Sequence, residues 1–410
     1  LGCLFPRSFM RSSTNAILSE SAGGFETFSH VLSEGIGGYP QQADPTDPTD
    51  PTDQVDFAPH PLTTGERKKM MHYSPRGGGC GKIKAMMIRI TLDDLYRPVA
   101  ECLTEVRGEI GRIWEEALRL VRVDAGPMPK AGGKLLRPAL CLLSAGAIGG
   151  TDLKQYVRLA AAFEALHIAS LAHDDVIDRA LLRRGNTSLN ALWDNHAAVL
   201  GGDYLVARAV NLLAGYNSCA VIDNAITSVR RMAEGELYFF GREVSSVTQQ
   251  ECIQLAEQKT ASLFAEACCA PTFVIDPQHH DALHQFGMSL GVAFQIIDDL
   301  LDLTQPETSL GKPACGDVAE GKFTLPILFM REALAPDELQ RLEAMRGTEL
   351  SPEDRAWVSA KVESTGSRNK TMDAARAFMD RALGALFTLP RSDYRDSMEG
   401  LAEFILVRHS

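Results

Sequence analysis

From residue 90 to the C-terminus, apolar positions recur at three- and four-residue spacing, the pattern of helices that turn one face to a core. The clearest segments run Leu153 to His173, Asp203 to Leu213, Ala220 to Phe240, Thr248 to Phe273, Ala282 to Leu303 and Met372 to Phe387. Short Gly, Pro, Asp or Asn punctuation separates them, and alternating β-branched runs of the strand type are missing. The pattern predicts an all-α fold, a bundle of roughly ten or more helices. No strong linker interrupts residues 86–410, so they read as one helical domain.

Residues 1–85 follow no such period. They hold eight of the 20 prolines and the repeat Asp44-Pro-Thr-Asp-Pro-Thr-Asp-Pro-Thr-Asp53, which sustains neither helix nor strand. A disordered extension is expected, with Met86 and Met87 as an alternative point for translation to begin. Arg7, Arg11, several serines and the lack of an acid before Glu20 give residues 1–30 the composition of an organellar presequence, the alternative to a cytoplasmic location. Gly77-Gly-Gly-Cys-Gly-Lys82 imitates a phosphate loop, but Arg76 stands at the first glycine position and Ile83 replaces Ser/Thr. It reads as linker.

Composition narrows the function classes. No window approaches eighteen uncharged apolar residues, so no spanning helix is expected. The formal charge of −12 argues against a general nucleic-acid surface, and any anionic ligand must be met by local cations or by metal. Nine cysteines without CxxC spacing fit buried free thiols in a reducing cytosol better than a disulfide framework or a zinc site.

Chemistry concentrates at two helix ends. The helix that buries Leu159, Phe163, Leu166 and Ser170 closes in His173-Asp-Asp-Val-Ile-Asp178. There Asp174 and Asp178 lie one turn apart, and Asp175 is rotated by about 100°. The three carboxylates are expected to converge. At ~5.5 Å and an effective dielectric of ~20, two such charges repel by about 3 kcal/mol, which calls for a cation. Phe294-Gln-Ile-Ile-Asp-Asp-Leu-Leu-Asp302 repeats the spacing with Asp298, Asp299 and Asp302. Oxygen ligands without His or Cys suit magnesium, which typically bridges carboxylates to substrate phosphates. The plain alternative, a solvated helix end, fits one such cluster far better than two matching ones.

Basic residues accompany both clusters. Arg183 and Arg184 follow the first; Lys312 and Lys322 follow the second; upstream, Gly132-Gly-Lys-Leu-Leu-Arg-Pro138 supplies Lys134 and Arg137 at i and i+3, expected on one helix face. Arg offers phosphate a bidentate fork and Lys a point charge. Lys259-Thr260, in a predicted mid-helix position, is a further pair within reach of a diphosphate. His167, on the apolar helix before the first cluster, is either a satisfied core histidine or a ligand contact.

Taken in order, Gly-Gly-Lys-x-x-Arg-Pro, His-x-x-x-Leu-x-His-Asp-Asp-x-x-Asp, the Arg-Arg-Gly turn, Gly202-Asp203-Tyr204, Lys-Thr, Phe-Gln-x-x-Asp-Asp-x-x-Asp and Gly-Lys-x-Thr-Leu-Pro resemble the trans-isoprenyl diphosphate synthases, or polyprenyl synthetases, over residue 88 to the end. The resemblance implies a helical bundle around a deep central cavity, built as a homodimer. In such proteins Asp174, Asp175, Asp178, Asp298, Asp299 and Asp302 would hold three Mg2+ ions around an allylic diphosphate. It places Lys134, Arg137, His167 and Arg184 at isopentenyl diphosphate. Arg183, Lys259, Thr260, Gln295, Lys312 and Lys322 fall around the allylic diphosphate or the developing cation, and Phe294 near the reacting carbons.

The implied reaction ionises the allylic C–O bond, adds the alkene carbon of isopentenyl diphosphate to C1, and loses a proton to the released diphosphate. The chain departs from the pattern at Leu135, where a basic residue is common, and at Cys315, where glycine is usual. Positions five and four before the first Asp, which act as a cavity floor in the family, are the small Ala169 and Ser170, so products of C20 or longer are expected. Phe163, about 16 Å down the helix from Asp174, is the next candidate stop. A terpene cyclase would need neither Lys134/Arg137 nor a second complete cluster, and a non-catalytic partner subunit would be expected to have lost part of the aspartate set.

Overall fold

A computed structural model describes residues 91–121, 133–178, 182–183, 186–240, 247–307, 313–322 and 324–407. The expectations for residues 1–85, for Arg184 and for Lys312 lie outside the described residues.

The helices in chain order are α1 (Leu92–Tyr96), α2 (Ala100–Val121), α3 (Leu136–Ala147), α4 (Val157–Ile177), α5 (Leu189–Leu192), α6 (Asn195–Ala214), α7 (Cys219–Phe239), α8 (Gln249–Ala256), α9 (Ser262–Cys269), α10 (His280–Thr304), α11 (Gly316–Ala319), α12 (Leu325–Arg331), α13 (Pro336–Ala344), α14 (Pro352–Ser364), α15 (Ser367–Leu386) and α16 (Asp393–Val407). Among the described residues the strand pairing is one antiparallel ladder, Leu182 with Thr187 and Arg183 with Asn186. The all-α expectation holds.

Some boundaries differ from the periodicity, each for a local reason. Leu153–Tyr156 is a 3₁₀ turn ahead of α4. Helix α6 starts at Asn195 rather than Asp203, because the Asp194 carboxylate accepts the Ala197 N–H as an N-cap. The predicted run from Thr248 to Phe273 is split by a π-helical turn, Glu257–Ala261, and ends in a 3₁₀ turn, Ala270–Phe273.

Helix α4 is central. It buries Leu159, Ala160, Ala161, Ala162, Phe163, Glu164, Ala165 and Leu166 in succession, so apolar side chains leave on every side, as in a helix surrounded by others. It packs most extensively on α6 and also on α2 and α3. Helix α10 plays the same part elsewhere, between α9 and α15. Its Leu290, Val292 and Ile296 join the main core, whereas Leu300 and Leu303 join a second cluster with Cys315, Val318, Ile327, Val358 and Val362. Burying each such large side chain fully is worth about 1.5–3 kcal/mol, so both aspartate helices are anchored by their apolar bodies in the packed bundle.

Two glycines let α10 approach its neighbour at backbone contact. A Cβ at Gly287 would lie 2.6 Å from the Phe264 carbonyl oxygen, and one at Gly291 would lie 2.5 Å from the Ala261 Cα. Any larger residue would push the second aspartate helix away from the turn that carries Lys259 and Thr260.

Candidate active site

At the end of α4, Asp174 and Asp178 are partly exposed, while Asp175 is only 3% exposed. The expected convergence of three carboxylates is therefore a pair plus one inward-facing member, because 100° of rotation carries Asp175 onto the packed side of the helix. The preceding His173 presses against α6. Its Nε2 lies 3.2 Å from the Val199 carbonyl and 3.4 Å from the Asp203 carboxylate, and a Cβ on Gly202 would collide with the imidazole. The Gly202-Asp203-Tyr204 motif thus acquires a physical reading: glycine admits the ring and Asp203 meets it. Tyr204 donates to Glu116 at 3.2 Å, which also pairs with Arg208 at 3.1 Å.

On α10, Asp298 is exposed, Asp299 partly buried and Asp302 buried. Bonded paths connect this cluster with the first. The Asp299 carboxylate accepts Gln295 Nε2–H at 2.7 Å, and Gln295 Oε1 accepts the Thr260 hydroxyl at 2.7 Å. The adjacent Lys259 places its ammonium 3.7 Å from Asp174. Along the other path, Asp302 accepts the Asp317 N–H at 3.0 Å, the Asp317 carbonyl accepts the Lys322 N–H at 2.8 Å, and Lys322 Nζ donates to Asp178 at 3.2 Å. The π-helical turn matters to the first path. An expanded turn of this kind, often found at functional sites, sends consecutive side chains to different clusters: Lys259 to the first and Thr260 to the second.

Both ammonium groups sit among carboxylates. Burial opposes charge on Lys259, but Asp174 and Glu236 outweigh it and hold the lysine above its usual range; Lys322 pulls slightly the other way. For Lys322 burial is likewise overcome, by Asp178 and Glu320, and the group is raised further. Lys259 pairs with Asp174 and Lys322 with Asp178, one helical turn apart, so both ammonium groups lie at the end of α4.

The upstream motif corrects an expectation. Lys134 and Arg137 do not share a helix face, because Lys134 precedes α3 and Leu135 adopts a left-handed conformation (φ 50°, ψ 38°). Leu135 is buried, and the Lys134 carbonyl accepts the Tyr96 hydroxyl at 2.8 Å; packing and this bond hold the bend. Arg137 lays its guanidinium over Phe264, 4.4 Å from the ring centroid, and Phe264 meets Phe294 at 5.5 Å. Phe294 and Arg137 thereby share one aromatic neighbour.

His167 is partly exposed on α4, and its carbonyl accepts the Ser170 hydroxyl at 2.9 Å. Ala169 and Phe163 are buried. For Arg183 only the backbone is described, in the two-residue ladder. Cys315 has φ 58°, and its N–H bonds the Asp302 carbonyl at 2.8 Å; the left-handed backbone explains why glycine is expected there.

Sequence reasoning missed Glu236, Glu320, Phe264 and Tyr96. Glu236 and Phe264 act through partners distant in the chain and Tyr96 through a backbone carbonyl, whereas Glu320 stands only two residues from Lys322 and was legible as a neighbour but not as its partner. An open cleft of about 740 Å³ lined by Gln278, Asp281, Gln285 and Arg381 lies toward the other end of α10, about 20 Å along the helix from Asp298. It is not part of this site.

Among the described residues no three His, Cys, Asp or Glu side chains close into a ready-made metal cage. Magnesium fits such a site, since it binds through one or two carboxylates and completes its shell with water and substrate phosphate. The donors are all oxygen, and Lys259 and Lys322 already rest as cations on Asp174 and Asp178.

A helical bundle that brings two aspartate helices together through two carboxylate-paired lysines is an isoprenoid synthase in class. The family described as Polyprenyl synthetase matches residues 126–361. An all-trans-nonaprenyl-diphosphate synthase (geranyl-diphosphate specific) of Rhodobacter capsulatus is 35% identical, over 77% of this chain and 97% of that protein. Heptaprenyl diphosphate synthase component 2 of Bacillus subtilis is 31% identical, over 76% and 87%. The crystal structure of a Caulobacter crescentus CB15 polyprenyl synthase complexed with calcium and isoprenyl diphosphate is similar at a TM-score of 0.71 with 32% identity, covering 78% of this chain and 98% of that one. The chain belongs to the polyprenyl synthetase family and is a prenyltransferase.

Proposed function

We propose that this chain condenses isopentenyl diphosphate head to tail with an allylic diphosphate, with Mg2+, to make trans-polyprenyl diphosphates of C20 or longer. The observation that supports the reading is the pair of bonded paths, Asp174–Lys259/Thr260–Gln295–Asp299 and Asp178–Lys322–Asp317–Asp302, which link the two clusters.

Asp174, Asp178 and Asp298 would be the accessible ligands for magnesium, with Asp175, Asp299 and Asp302 behind them; bound there, the metal would supply Lewis-acid neutralisation of the leaving diphosphate. Lys259 and Lys322 add fixed positive charge where the departing oxygens gather negative charge. The allylic C1–O bond breaks with its electron pair leaving on diphosphate. The alkene of isopentenyl diphosphate then bonds through C4 to C1, and a C2 proton passes to the released diphosphate, restoring a trans double bond. Lys134, Arg137 and His167 would hold the isopentenyl diphosphate, and Phe294 would face the developing cation. The small Ala169 and Ser170 beneath Asp174 support a tail longer than farnesyl.

We also propose a homodimer. Helix α6 leaves Val199 and Leu200 exposed, beside Leu192. By composition it is apolar enough to cross a membrane, at a mean hydropathy of 1.3 with about a third of that window buried. However, it carries Asp203 and Arg208, which pair with His173 and Glu116, so it belongs to the bundle, and a second copy would cover its apolar side.

The test is direct. The purified chain, given Mg2+, labelled isopentenyl diphosphate and farnesyl diphosphate, should yield dephosphorylated products of C20 or longer on chromatography. Asp298→Ala should lower the rate by at least ~100-fold. An inert wild-type chain would reject the single-chain reading and favour a heteromer, as the name component 2 of the Bacillus relative suggests for that protein.

A further inference from the structure

Lys259 and Lys322 come from unrelated elements yet show the same arrangement. Lys259, in the π-helical turn, reaches Asp174 at 3.7 Å and is in closer contact with Glu236 on α7. Lys322, beyond α11, reaches Asp178 at 3.2 Å and Glu320 at 2.5 Å. Each ammonium therefore stands between one aspartate of the first cluster and one glutamate outside every motif. Glu236 and Glu320 are themselves partly exposed, at 39% and 43% of the side chain, so packing does not dictate an acid at either position.

The physical problem these pairs solve is competition. An ammonium held only by Asp174 or Asp178 would contest that carboxylate with any divalent cation, and once displaced it would be free to swing into water. A second carboxylate on the far side gives it an anchor that the cation does not claim. We infer that Glu236 and Glu320 are positioning residues, which keep Lys259 and Lys322 directed at the diphosphate when Asp174 and Asp178 are engaged by metal. The inference rests on the function proposed above and adds two residues to it.

Double-mutant cycles on the full chain test it, with the Mg2+-dependent binding of inorganic pyrophosphate read by calorimetry. Glu236→Gln should weaken pyrophosphate binding by about fivefold in the wild-type background and by less than about twofold once Lys259→Met is present. Glu320→Gln should behave in the same way toward Lys322→Met. A glutamate that acted only through the fold would cost the same in both backgrounds, and that additivity would overturn the positioning role. Glutamate variants that bind like wild type, while the lysine variants bind more weakly, would also overturn it, leaving the diphosphate site intact. Lysine variants that bind pyrophosphate as wild type does would remove the diphosphate reading of the site and this inference with it.

Discussion

At Asp174 and Asp178 two carboxylates one turn apart each hold a lysine ammonium, so the metal-free site is already partly neutralised. A divalent cation arriving there exchanges partners with the lysines instead of meeting bare repulsion. Lower on the same helix, Ser170 turns its hydroxyl back onto the His167 carbonyl. Ser170→Phe is expected to shorten the dominant product, measured by chromatography of the dephosphorylated chains. An unchanged length distribution would show that the floor lies elsewhere, with the buried Phe163 the next position to test.

Elements, more than single residues, decide how the clusters meet. Helix α8 begins with a capping box, in which the Thr248 hydroxyl accepts the Glu251 N–H and the Glu251 carboxylate accepts the Thr248 N–H. That fixes the entry to the segment, and the π-helical turn then aims Lys259 and Thr260. Gly287 and Gly291 seat α10 against the same segment. Gly291→Ala would force a methyl group to within 2.5 Å of the Ala261 Cα. Overpacking of this kind costs about 1–3 kcal/mol, and relief by sliding α10 would separate Gln295 from Thr260. A lower Tm together with a reduced turnover is the expected result; loss of Tm with unchanged turnover would mean that the two helices re-pack without moving the site.

For the molecule as a whole, two surfaces give measurable consequences. If the exposed apolar side of α6 is the homodimer contact, Leu200→Glu should halve the mass seen by light scattering, whereas an unchanged mass would place the contact elsewhere. The described cysteines are all free: Cys102, Cys141, Cys268, Cys269 and Cys315 are buried, Cys252 is partly buried and Cys219 is exposed. Burial pushes the Cys252 and Cys315 thiols up to about 12 and holds the Cys141, Cys268 and Cys269 thiols well above the usual thiol range, so the reactive thiolate is scarce at neutral pH. An alkylating reagent at pH 8 should modify Cys219 first among these seven, with the others reacting only on unfolding, as read by peptide mass spectrometry.

The helical class and the two aspartate spacings were legible in the chain because each is a local matter. A period of 3.6 residues marks a helix, and i, i+1, i+4 places carboxylates within one turn whatever surrounds them. Residue order alone could not reveal that Asp175 faces inward, that Leu135 breaks the line from Lys134 to Arg137, that a π-helical turn divides Lys259 from Thr260, or that Glu236 holds Lys259. Those outcomes depend on which helix packs against which, and side chains far apart in the chain meet only when the core closes and burial makes an unpaired charge costly.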